Sequence, residues 1–243
     1  MTVRQFAYSN LNLEFPTSKP LWSPKEGLES LVHAGELAQL PVLNKIKPFL
    51  QLTEQEKRLR LFNTMMVNQN IVDEKGNILV LNVPEKVKQK VDKIFLNRSR
   101  YKSISFKFPN PIQWYHIALL HELECTQNFN CYLGNGQRWD KRTTIVPKNR
   151  GPFKSFEEGA IDAIKYDKLN EIIDWSSGNT LYILEGFNGY GYALYRNINS
   201  PYLWSGSNHY TSGKYIADSV YSSKAVSTQI GIALLYKEVL NRL

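Results

Sequence analysis

The sequence predicts a mainly α protein of the α+β class, with a small β-hairpin beside a buried central helix. Three observations carry this. Apolar residues recur at three- and four-residue spacing through much of the chain. One segment, Ile112 to Leu123, is apolar nearly all round and belongs in the middle of a domain. Just after it, Asn135-Gly136 sits between short apolar stretches, the strongest short-range hairpin signal.

The elements follow in order. Residues 1–30, with Pro16, Pro20 and Pro24, read as irregular. Residues 28–68 carry helical spacing (Leu28, Leu31, Leu37, Leu40, then Leu52 to Met66), broken at Pro41 and Pro48. His33 there reads as a core or surface histidine and not a ligand. Asp73 to Gly76 is a turn into a short β-like run. Residues 84–98 form a charged helix with Val87, Val91 and Ile94 on one face. The chain stops at Pro109-Asn110-Pro111, and Pro111 suits the first turn of the buried helix. Thr143 to Pro147 continues the hairpin as a strand. Ser155 and Glu158 make a capping box for a helix through Ile164. Trp175 to Phe187 is a further helix, closed near Gly189. Residues 188–222 read as a long Gly/Asn/Ser/Tyr region, functional or holding short helices. Residues 224–243 are a final amphipathic helix.

At 243 residues the chain suits one domain with a smaller appendage. Its net charge of +8 is spread over both halves. Such an excess favours polyanions in general, but no basic run or nucleic-acid motif appears, so no nucleic-acid partner is expected. Nothing approaches the length of a spanning helix, and the first residues hold no signal-peptide-like apolar run. Cytoplasmic synthesis without membrane insertion is expected. Cys125 and Cys131 are too few for a disulfide scaffold and read as free thiols, able to bridge only if the chain folds back between them.

The chemistry concentrates where the buried helix ends, at His121-Glu122-Leu123-Glu124-Cys125. Apolar neighbours and the negative end of the helix dipole both favour the protonated form of a carboxyl there. A general acid that protonates a glycosidic oxygen needs that. Periodicity does not choose between Glu122 and Glu124. His121-Glu122 begins like the zinc motif H-E-x-x-H, but Cys125 stands at the second histidine's place, so no metal site is expected. No nucleophile elbow, phosphate loop or dinucleotide fingerprint occurs, and no cofactor is expected. Cys125 as a nucleophile near His121 or His209 is a remaining alternative.

Trp114 to Asn130 (WYHIALLHELECTQNFN) resembles the catalytic helix of the lysozyme-like superfamily, closest to the lysozymes of phage and prophage genomes. The resemblance continues through Leu133-Gly-Asn-Gly136, Arg142-Thr143, Val146-Pro147, Gly151-Pro-Phe153 and residues 157–163. It runs on through Ile173 to Ser176, Leu184 to Tyr192, Ser200 to Ser205 and Asn208 to Tyr215. It covers 96–243, so residues 1–95 are expected to be a separate region for docking or wall binding, and 96–243 the catalytic domain.

The resemblance implies a muramidase that cuts peptidoglycan at the β-1,4 bond between N-acetylmuramic acid and N-acetylglucosamine. Glu124 is the implied acid, because it precedes the small residue. Asp140 and Thr143 are the candidates for positioning water. His121, Asn188, Tyr192, Tyr202, Trp204, Asn208 and Tyr210 are the implied substrate-binding set. Cys125 stands where many relatives have Ser or Ala, Gln137 where some have Asp, and Phe187 where lytic transglycosylases have Tyr. The competing expectations are a lytic transglycosylase, a non-catalytic glycan-binding module, and a component of a phage tail or contractile particle docked through residues 1–95.

Overall fold

The computed structural model describes residues 52–243, apart from positions 111 and 218. The expectations for residues 1–51, including His33, and for Pro111 lie outside the described residues. The described chain is mainly helical with two small antiparallel hairpins.

Helix α1 (Glu54–Asn63) opens with a reciprocal cap: Thr53 Oγ1 accepts the Glu56 N–H at 3.2 Å, and the Glu56 carboxylate accepts the Thr53 N–H at 2.7 Å. Strands β1 (Ile71–Val72) and β2 (Ile78–Val80) pair across the expected turn. Asp73 Oδ1 accepts the N–H groups of Lys75 and Asn77 there. Helix α2 (Val83–Leu96) buries Val83, Val87, Val91 and Ile94. A helix not predicted from sequence, α3 (Arg98–Ser105), follows at once and buries Tyr101 and Ile104.

Helix α4 (Trp114–Cys125) is the central helix, with ten of its twelve residues buried. Helices α2, α3 and α9 (Ile232–Asn241) pack around it. Helix α5 (Phe156–Tyr166) starts at the expected cap, with Ser155 Oγ accepting the Glu158 N–H at 3.2 Å. Helix α6 (Ser177–Asn188) ends at Gly189, whose φ of 90° suits glycine. The long region after it holds α7 (Gly191–Arg196), α8 (Pro201–Trp204) and a hairpin of β3 (Lys214–Ala217) and β4 (Val220–Ser222).

Several sequence expectations need correction. The last helix spans Ile232–Asn241 and not 224–243. The strand over Thr143 to Pro147 does not form. Gln137 Oε1 takes the N–H groups of Thr144 and Ile145 at 2.8 and 3.2 Å, and Asn135 Nδ2 takes the Ile145 carbonyl at 3.2 Å. Side chains therefore occupy the groups a partner strand would use. The Asn135-Gly136 hairpin contracts to one antiparallel bridge, Cys131 with Arg138.

Among the described residues the boundary at 95/96 does not separate two cores. Phe62, Val83, Val91 and Ile94 belong to the same buried cluster as Ile117, Leu120, Leu184, Leu203 and Leu235. Helix α1 packs chiefly on α6. Arg58 Nε donates to the Glu185 carboxylate at 2.6 Å in the buried contact between them. The segment after α1 also bonds to the chain after α8, through Asn68 N–H to the Gly206 carbonyl at 2.9 Å and Asn208 N–H to the Met66 carbonyl at 3.0 Å.

Candidate active site

The end of α4 separates the two acids that periodicity leaves equivalent. Glu122 is 2% exposed and ion-paired with Lys90 from α2. Its other oxygen accepts from Gln127 Nε2 at 2.7 Å, and Gln127 also donates to the Lys90 carbonyl at 3.1 Å. Glu122 thus ties α2 to the end of α4. Glu124 is half-buried, and its Oε1 accepts a hydrogen bond from the Tyr202 hydroxyl at 2.9 Å.

Three contacts hold the backbone at Glu124. Thr126, with a left-handed φ of 49°, stops the helix and returns its N–H to the Glu122 carbonyl at 2.9 Å. Gln229 Nε2 donates to the Leu123 carbonyl at 2.7 Å. The hairpin tip closes the third side. Gly136 has a φ of 74°, and a Cβ there would stand 2.9 Å from the Glu124 carbonyl oxygen. The hairpin is itself braced. The Tyr132 hydroxyl donates to Asp162 on α5 at 2.8 Å, and Arg150 Nε donates to the same carboxylate at 3.0 Å.

Of the residues implied by the resemblance, the structure joins Tyr202 to Glu124 and places most others in structural roles. Thr143 is buried; its hydroxyl donates to the Pro147 carbonyl at 2.6 Å and accepts the Arg150 N–H at 2.9 Å. It closes a loop and does not present a hydroxyl for positioning water. His121 is fully buried between the Tyr101 hydroxyl (2.9 Å) and the Asn128 carbonyl (3.1 Å), and burial pushes its pKa down to about 4. It is a neutral core histidine and not a sugar ligand. Trp204 is 2% exposed and packs edge-on to His209, so it offers no open face for stacking.

Tyr192 is buried and accepts the Tyr215 N–H at 3.2 Å. Tyr210 is buried too, donating to the Gly213 carbonyl at 3.1 Å and accepting the Ser227 N–H at 3.2 Å. Asn208 is exposed but bound to the segment after α1, accepting the Met66 N–H at 2.8 Å. Asn188 is half-buried at the last position of α6. Asp140 is exposed, and Arg138 beside it holds its carboxyl below the usual carboxylate range.

Sequence reasoning did not find Gly136, Gln229 or Lys90 as supports of this helix end. Lys90 lies 32 positions from Glu122, and only the packing of α2 on α4 joins them. A recess of about 610 Å³ is lined by Arg58, Glu185, Asn199, Trp204 and His209 among others, and Glu124 is not part of its lining. Among the described residues no cluster of His, Cys, Asp or Glu has the makings of a metal site, and no helix is long and apolar enough to cross a membrane. No family model, curated protein or solved structure matches the chain.

Proposed function

We propose that the protein cleaves the glycan strands of peptidoglycan at the β-1,4 bond between N-acetylmuramic acid and N-acetylglucosamine, with Glu124 as general acid. One observation carries this: a half-buried carboxyl at the end of a buried helix, hydrogen-bonded at 2.9 Å to the Tyr202 hydroxyl and backed by the tip of a tight turn. Such a group is fixed in direction by its neighbours, which proton transfer to a leaving oxygen requires.

Glu124 donates its proton to the glycosidic oxygen. The bond breaks toward an oxocarbenium-like centre, and a water captures it. Asp140 is kept ionised by Arg138 and is therefore a weak base. Capture by the muramic acid 6-hydroxyl instead of water would give an anhydro product.

The test is turbidity clearing of purified murein with mass analysis of the fragments. The wild-type protein should release fragments with reducing muramic ends. Glu124→Gln should melt at the wild-type temperature and release none. Full clearing by that variant would remove Glu124 from the mechanism, and no release by the wild type would end the enzymatic proposal. Anhydro ends would replace hydrolysis by transglycosylation.

A further inference from the structure

The turn after Glu124 brings two thiols together. Cys125 closes α4, and Thr126 (φ 49°) and Gln127 (φ 56°) both take left-handed backbone conformations that reverse the chain. The Asn128 N–H bonds the Cys125 carbonyl at 2.9 Å, and the Cys131 N–H bonds the Asn128 carbonyl at 3.0 Å. Cys131 thereby returns against Cys125. The Cys125 S–H donates to the carbonyl of Tyr132, the residue next to Cys131 in the chain, at 3.7 Å. Both are free cysteines, Cys125 buried and Cys131 half-exposed.

The two sulfurs differ in reactivity. The neighbouring Cys125 and the Arg138 cation lower the Cys131 thiol below its usual range. The neighbouring Cys131 and burial push Cys125 the other way. An accessible, readily ionised thiol lies against a buried, protonated one, which is the arrangement of an attacking and a resolving cysteine.

We propose that Cys125 and Cys131 are a redox modification site: they close to an intramolecular disulfide on meeting a disulfide oxidant, fastening the end of α4 to the hairpin beside it. With oxidised glutathione, the Cys131 thiolate attacks one glutathione sulfur and the S–S bond of the oxidant breaks. One glutathione leaves as thiolate and takes the Cys125 proton. The Cys125 sulfur then attacks Cys131 of the mixed disulfide and expels the second glutathione thiolate, which is protonated from solvent. One protein dithiol is oxidised and one glutathione disulfide is reduced to two thiols. The bridge does not depend on the role proposed for Glu124.

The experiment incubates the native full-length protein with oxidised glutathione, quenches with iodoacetamide, and reads intact mass and peptide maps. The protein should lose two hydrogens, carry no alkyl group at either cysteine and yield a linked 125–131 peptide. Cys125→Ser should stop at a single glutathione adduct on Cys131. The wild-type protein in guanidinium chloride should close the bridge more slowly than the native protein, a comparison that needs no variant to fold. A stable adduct on native wild-type Cys131, alkylation of both thiols, or equal closure rates in native and denatured protein would each overturn the proposal.

Discussion

Glu122 and Glu124 are two positions apart on one helix end, and their surroundings give them different work. Glu122 is buried against Lys90 and Gln127. Glu122→Ala leaves both of those groups without their partner and should cost roughly 2 kcal/mol of stability, read as a lower urea midpoint. Glu124→Gln should leave that midpoint where it is. Tyr202→Phe keeps the buried ring but removes the hydroxyl that donates to Glu124. It should cost about 1 kcal/mol of stability and slow murein clearing on the order of tenfold. Clearing at the full rate would leave that hydroxyl without a part in positioning Glu124. The residue types at this helix end were readable in the sequence. Their division of labour was not, because it depends on Lys90 and Tyr202, which only folding brings close.

At the scale of elements, α4 was legible because apolar residues on every side leave a helix nowhere to lie but inside. Helix α3 was not, since charged and hydroxyl residues surround its two buried apolar positions, Tyr101 and Ile104. Helices α7 and α8 are too short for a period to show, though Ser200 before Pro201 is a capping signal for α8. The missing strand at 143–147 has β-branched residues, but Gln137 and Asn135 claim its backbone groups. The hairpin tip gives a direct test. Gly136→Ala forces a side chain into positive φ and against the Glu124 carbonyl, and should cost roughly 1–3 kcal/mol. Clearing should fall with it. Helix α4 also sets an acid limit. Burial pushes His116 down to about 3 and His121 to about 4 from an ordinary 6.5. Both stay neutral in the folded chain while the unfolded chain takes up protons, so stability is full above 6.5 and falls as the pH drops toward 4. His116 stacks on Trp175, and neither ring nitrogen has a hydrogen-bond partner among the described residues. His116→Phe should therefore flatten the fall of Tm between pH 6.5 and 4, measured by thermal melts across that range; an unchanged slope would exclude His116 as its source.

At the scale of the whole molecule, the boundary expected from the sequence and the packing differ. A division was expected near residue 96, yet α1 and α2 complete the core around α4 and α6. The signal was present in the spacing of Val87, Val91 and Ile94, since an apolar helix face needs a surface to cover it. The buried contact between Arg58 (7% exposed side chain) and Glu185 (3%) joins the two parts. Arg58 also donates to Glu54 at 2.8 Å and lies over the Tyr182 ring, so its charge is matched and its stem packed. Removing it strands Glu185, which burial already pushes toward its neutral form. Arg58→Ala should cost roughly 3–5 kcal/mol, whereas Lys57→Ala, one position away on the exposed face, should cost under about 0.5 kcal/mol. A fragment of residues 96–243 would expose the faces of α4, α6 and α9 that α1 and α2 cover. It should show no cooperative thermal transition and should bind a hydrophobic dye, while the full chain melts in one step. A fragment that melts sharply at the temperature of the full chain would make 96–243 a self-sufficient domain and reduce α1 and α2 to an attachment on its surface.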